Sequence, residues 1–175
     1  MNVKLKLTPG IYLTGFMASG KTTIGRLLAD ELGWRFVDID EEIEEEQGIS
    51  IAEIFDQRGE QEFREIESAA VRKQVRAIEK GRPSVVALGG GAFAQAKIAE
   101  LLEENGISIW LDCPLPIVRM RVAQAAHRPL ARDECQFEQL YQDRRASYAR
   151  ADFRIEITSD KPSDTVAMIL KLPIF

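Results

Sequence analysis

Cysteine and histidine are nearly absent from this sequence. The 175 residues include two cysteines and one histidine. Cys113 and Cys135 stand apart, without the spacing of a zinc site or a disulfide framework, so they read as reduced thiols of a cytoplasmic protein. His127 has no identifiable partner and reads as a bystander. No apolar run reaches the ~18 residues of a membrane span, and Met1 to Gly10 has no apolar stretch of signal-peptide length. A basic excess is missing too: 23 Lys and Arg stand against 28 Asp and Glu, a net charge of −5. That argues against a nucleic-acid coat, which needs a basic face. Internal repeats and low-complexity tracts are also lacking. The expected protein is cytoplasmic and monomeric, with no nucleic-acid or membrane partner.

Apolar periodicity runs almost from end to end. A hydrophobic content of 45% in a chain of this length suits one domain, residues 1–175, with a sizeable core. Charge is unevenly spread. Asp38 to Glu46 is an acidic run that reads as a solvated helix face. From Cys113 to Arg132 there are arginines (Arg119, Arg121, Arg128, Arg132) and no acid, and between Ile98 and Asp160 every basic residue is Arg. The guanidinium fork matches carboxylate and phosphate bidentately where Lys does not, so the C-terminal half is suited to an anionic ligand.

Short apolar runs at Ile11 to Thr14, Phe36-Val37, Val85 to Leu88, Ile107 to Leu111 and Phe153 to Ile157 read as strands. Between them lie segments of helical spacing: Ile24 to Leu32, a capping box at Ser50 and Glu53, Phe63 to Ile78, Ile98 to Leu102, a start at Pro114 and Pro116, Phe137 to Tyr148, and Val166 to Leu170. Strands alternating with helices predict an α/β fold with a parallel sheet covered on both faces. Around Arg128-Pro129 the apolar pattern fails, which predicts a loop.

Gly15-Phe16-Met17-Ala18-Ser19-Gly20-Lys21-Thr22 fits G-x-x-x-x-G-K-[ST], with a buried strand before it and an amphipathic helix after it. In such a loop, backbone N–H groups and the helix N-terminus cradle phosphates. Lys21 reaches the β/γ oxygens, and Thr22 offers a hydroxyl to Mg²⁺. The pattern predicts ATP binding through Ala18, Ser19, Gly20, Lys21, Thr22 and Thr23. The guanine-reading N-K-x-D is missing, which disfavours a GTPase.

Further segments resemble the shikimate kinase family: Asp38-Ile39-Asp40 its D-x-D; Gly59-Glu60-Gln61-Glu62-Phe63-Arg64-Glu65-Ile66-Glu67 its G-E-x-x-F-R-x-x-E; Gly89-Gly90-Gly91 its glycine loop; Arg128-Pro129-Leu130 and Arg144-Arg145-Ala146-Ser147-Tyr148 its R-P-L and R-x-x-Y patterns. The resemblance implies a three-layer P-loop NTPase fold of five parallel strands in the order 2-3-1-4-5, with a substrate-binding insertion near residues 38–69 and a lid near 121–134. It implies transfer of the ATP γ-phosphoryl group to the 3-hydroxyl of shikimate, a step toward chorismate. Arg121 and Pro162 resemble positions that flank adenine, Arg145 the second member of an arginine pair on the substrate carboxylate, and Gly89, Gly90 and Gly91 the loop beside its ring.

The residues allow the same roles. Asp38 stands at a strand's C-terminal end, where α/β sheets place ligands, and can hold a Mg²⁺-bound water. Asp40 can accept the proton of an attacking hydroxyl or cap a helix. Arg64 has Glu67 three residues on to orient it and can bind a carboxylate. Arg144 is then a solvated neighbour. Arg128, before a proline in the expected lid, can bring charge to the transferring phosphoryl group. Ala18 stands where such loops often have Gly, which matters if that position needs positive φ. The alternatives are another kinase of this fold, such as a gluconate or nucleotide kinase, and a non-catalytic nucleotide-binding regulator.

Overall fold

The centre of the sheet is made of strands buried along their whole lengths. A computed structural model describes residues 10–125 and 134–175. In it β1 (Gly10–Thr14) and β3 (Ser84–Ala87) are buried along their whole lengths, as strands covered on both faces must be. β2 (Arg35–Asp38) and β5 (Phe153–Glu156) are the partly exposed edges, and β4 (Ile107–Asp112) lies between β1 and β5. All neighbours pair in parallel in the order β2-β3-β1-β4-β5. The order changes direction at β1, so a crevice opens beyond the C-terminal strand ends there.

Helix boundaries follow local chemistry. α1 (Lys21–Leu32) starts after Gly20 and stops at Gly33, both left-handed, at φ 95° and φ 66°. α2 (Ile39–Gln47) is capped by Asp38, whose Oδ1 accepts from the N–H groups of Asp40 and Glu41. Asp38, not Asp40, is therefore the helix cap, which leaves the Asp40 carboxylate without that duty. The reciprocal capping box of Ser50 and Glu53 opens α3 (Ile51–Glu79). α3 is bent at Gly59, where φ is 82° and ψ 169°, so two apolar segments of the sequence become one kinked helix. Phe55 and Phe63 meet across the bend at 4.6 Å between ring centroids.

α4 (Ala96–Asn105), α5 (Leu115–Gln124), α6 (Glu134–Tyr148) and α7 (Pro162–Leu170) complete the layers. α1 packs on α7, and α3 on α2 and α4. Leu13, Leu28, Val85, Val86, Ile109 and Leu111 are wholly buried at the centre; burying each such side chain contributes about 1.5–3 kcal/mol. No helix among the described residues is long and apolar enough to cross a membrane.

Candidate active site

The loop between β1 and α1 forms the floor of the crevice. Lys21 folds back over it, donating from Nζ to the carbonyls of Gly15 at 2.9 Å and Phe16 at 3.0 Å. Gly15 cannot carry a side chain: a Cβ there would sit 2.7 Å from the Leu111 carbonyl oxygen. Ala18 occupies the left-handed region at φ 60°, the condition under which the missing glycine matters. Its carbonyl accepts from Arg121 Nη1 at 2.9 Å.

Beside this loop a cavity of about 230 Å³ is bounded by Ala18, Ser19, Gly20 and Thr23 on one side and by Arg121, Ile157, Asp160 and Pro162 on the other. The structure thus brings Arg121 and Pro162 to the same cavity as the phosphate loop. Sequence reasoning missed Ile157, Ser159, Asp160 and Thr165, which line it too.

Thr22 and Asp38 also meet. Thr22 Oγ1 donates to Asp38 Oδ2 at 2.6 Å, while Asp38 Oδ1 remains on the α2 N-terminus. Mg²⁺ is usually held by one or two protein oxygens together with phosphates and water. Thr22 and Asp38 are such a hard-oxygen pair, so they fit that ion. No cluster of three or more acidic, His or Cys ligands occurs among the described residues, and this mode of binding needs none.

A second cavity of about 230 Å³ lies on the opposite side of the phosphate loop, with Phe16 and Met17 in its wall. It contains Asp40, Arg64, Glu67 and the three glycines 89–91. Asp40 is pushed up to about pKa 6, mainly by burial and then by the Asp38 and Glu67 carboxylates, with Lys21 opposing. A carboxylate of that basicity can take a proton near neutral pH. Arg64 Nη1 donates to Glu67 Oε1 at 2.8 Å. The same oxygen accepts from Gln95 Nε2 at 2.6 Å. Burial raises the Glu67 pKa, and Arg64 is the largest influence pulling it back.

Gly89 and Gly91 have site side chains where a Cβ would stand, whereas a Cβ on Gly90 would meet nothing closer than 3.8 Å. A Cβ on Gly89 would lie 2.6 Å from Glu67 Oε2 and 2.8 Å from Asp40 Oδ1. On Gly91 it would lie 2.6 Å from both terminal nitrogens of Arg64 and 2.9 Å from Arg144 Nη1. The Gly90 carbonyl accepts from Tyr148 Oη at 2.6 Å, and burial raises that phenol's pKa, which keeps the donor protonated.

One expectation fails here. Arg145 does not enter the cavity; Arg144 does, beside Leu140 and Tyr148. These three residues are spaced by four and share one face of α6. Arg145 is one position on, about 100° round the helix, and pairs instead with Asp112, with Nη2 at 3.1 Å from Oδ2. The arginine facing Arg64 across Gly91 is thus Arg144, expected from the sequence to be solvated. The i,i+4 row Leu140, Arg144, Tyr148 was the signal for it. Arg128 lies outside the described residues, as does His127.

A phosphate loop between two cavities, one holding a basic carboxylate and two arginines, defines a P-loop phosphotransferase. Comparison with known proteins narrows this. A family model described as shikimate kinase matches residues 17–172. The chain is 42% identical over 161 residues to a shikimate kinase of Persephonella marina, covering 91% of this chain and 96% of that one. A shikimate kinase from Acinetobacter baumannii, solved in complex with shikimate, superposes with a TM-score of 0.85 at 35% identity, over 95% of this chain and 93% of that one. The shikimate kinase of Aquifex aeolicus gives 0.81 at 32% identity, over 92% and 94%. The chain belongs to the shikimate kinase family, and it is an ATP-dependent phosphotransferase.

Proposed function

We propose that this kinase transfers the γ-phosphoryl group of ATP to the 3-hydroxyl of shikimate, giving shikimate 3-phosphate and ADP for chorismate synthesis. The observation that carries the reading is the convergence of Asp40, Arg64 and Arg144 on one cavity beside the phosphate loop. A small acceptor with one carboxylate and several hydroxyls suits it: the two guanidinium groups take the carboxylate, and the glycine loop lets the ring approach backbone. Asp40 then accepts the proton of the attacking hydroxyl. Lys21 leaves its loop carbonyls for the phosphate oxygens and neutralises charge at the group in transfer. Residues 18–23, Arg121 and Pro162 hold the nucleotide. Thr22 and Asp38 would hold Mg²⁺, which when bound supplies positive charge to the phosphate oxygens. Arg128 would add charge to the transferring group from the segment 121–134, acting as a lid. The acceptor region is residues 38–69 of a single kinase domain, working as a monomer in the cytoplasm.

A coupled assay with ATP and shikimate tests the reading, with gluconate and nucleoside monophosphates as competing acceptors. Phosphorylation of shikimate alone is expected. Turnover with another acceptor instead, or nucleotide binding without turnover, would overturn it.

A further inference from the structure

The two adjacent arginines of α6 are chemically identical, and either could serve an anionic acceptor. What separates them is the rotation of the helix about its axis. One face carries Leu140, Arg144 and Tyr148 into the acceptor cavity. The next carries Phe137, Tyr141 and Arg145 toward β4 and the phosphate loop, where Phe137 and Tyr141 set their rings edge-on to Phe16 at 5.4 and 5.2 Å. Apolar contacts of this kind tolerate sliding. The charged, two-point element on this face is Asp112, at the end of β4 and 5% exposed; on the neighbouring face Tyr148 holds the Gly90 carbonyl through one hydroxyl.

Asp112 receives both terminal nitrogens of Arg145, one on each carboxylate oxygen. The guanidinium lies over Trp110, 4.9 Å from the ring centroid. Arg145 Nη1 also donates to Tyr141 Oη at 3.1 Å, and that hydroxyl donates to the Cys113 carbonyl at 2.8 Å. A fork seated on a carboxylate in two places has one orientation; an ammonium would have many. Arg154 Nε donates to the same Asp112 oxygen at 2.8 Å from β5. Loss of Arg145 would therefore leave the buried carboxylate paired, while α6 would lose its ion pair to the sheet and keep only the hydroxyl bonds of Tyr141 and Tyr148.

We propose that Arg145 is a positioning residue, whose bidentate seat on Asp112 fixes the rotation of α6 so that Arg144, and not Arg145, meets the acceptor's carboxylate. The inference rests on the acceptor reading of Arg144 given above.

The test compares Arg145→Met, Arg145→Lys, Asp112→Asn, Arg144→Met and the double variant R144M/R145M. Melting temperature, kcat, and KM for ATP and for shikimate are measured for each. Small misplacements of a binding group cost up to about 100-fold, so Arg145→Met should raise the shikimate KM by about tenfold or more. Asp112→Asn should raise it in the same direction. The ATP KM should stay within about twofold, the margin within which independent effects add. Arg145→Lys keeps the charge but not the fork and should retain most of the defect. The double variant should be no worse than Arg144→Met alone. A shikimate KM unchanged in Arg145→Met and Asp112→Asn, whatever the melting temperature does, overturns the proposal. So does a normal Arg145→Lys, or a double variant that loses the product of the two singles. If Arg145→Met fails to fold, Arg145→Lys and Asp112→Asn decide. Arg144→Met with a normal shikimate KM overturns the acceptor reading itself, and this inference with it.

Discussion

The two sides of this active site are made of different material. On the nucleotide side the binding groups are largely backbone, in one continuous loop between β1 and α1, with Gly15, Ala18 and Gly20 all at positive φ. On the acceptor side they are side chains from α2, α3 and α6 converging on the glycine loop. A phosphate needs many N–H groups at short range, which one loop can supply. A small chiral acceptor needs a few charges in fixed directions, and these must come from several elements, each held by a neighbour. Arg64 is held by Glu67, itself held by Gln95.

The largest effect should come from the charged side chain of the phosphate loop itself. Lys21→Ala should lower kcat by about 10³-fold, the upper range for removing one charge-stabilising donor, with the far-ultraviolet spectrum unchanged. Near-normal turnover would break the distinction between the two sides at its strongest point.

Asp40→Asn should lower kcat by about 10²-fold or more, as for a lost general base, with a smaller change in shikimate KM. Activity of the unaltered enzyme should fall as pH drops below about 6, where Asp40 takes up its proton. Stability should move the other way. The folded pKa of about 6 lies above the ordinary 3.8, so the folded state binds the proton more tightly than the unfolded chain. Below about pH 4 both states are protonated and there is no penalty. It grows from about pH 4 to pH 6 and is constant above, on the order of 3 kcal/mol. Asp40→Asn should therefore raise the melting temperature at pH 7.5 but not at pH 4. A fall at pH 7.5 would mean that Asp40 is a structural ion, not one held for chemistry.

Arg64→Ala and Arg144→Ala should each cost about 30-fold or more in kcat/KM with shikimate, corresponding to roughly 2–5 kcal/mol for truncating one partner of a desolvated pair. ATP binding should barely change, since both act on the acceptor side. Because they share one carboxylate, the double variant should lose less than the sum. Full additivity would show two separate sites.

The smallest effect is expected in the phosphate loop. Ala18 is a non-glycine residue at φ 60°, so Ala18→Gly should stabilise the fold by about 0.5–1 kcal/mol, relief of left-handed strain less the added chain entropy of glycine. Denaturant unfolding would check this. An unchanged midpoint would mean that the added chain entropy of glycine cancels the relief of strain.

The same contrast explains what could be read from the sequence. The phosphate loop is contiguous and flanked by its strand and helix, so motif and context stood together. The strand order followed from the resemblance, and alternating elements required a parallel sheet. Asp40 and Arg64 were legible because each has a local companion, Asp38 two residues back and Glu67 three on. Arg144 was not legible from the motif. The dipeptide Arg144-Arg145 is degenerate, and the group that resolves it, Asp112, is 33 residues away in sequence and on another element. Gln95 was missed for the same reason: it supports Glu67 from 28 residues away. The far wall of the nucleotide cavity, residues 157–165, carries no motif apart from the resemblance at Pro162.

Trp110 gives the acceptor side an optical consequence. Its indole lies against the guanidinium groups of Arg145 and Arg154, and 5.9 Å from the ring of Tyr148, whose hydroxyl grips the glycine loop. Tyr148 is close enough to pass excitation to the indole, and both rings sit where α6 meets the sheet. Filling the acceptor cavity should therefore change the intrinsic emission, with Trp34→Phe removing the chain's other indole. The enzyme carries its own fluorophore at the joint that orients the arginines, and a titration can follow that joint without a label.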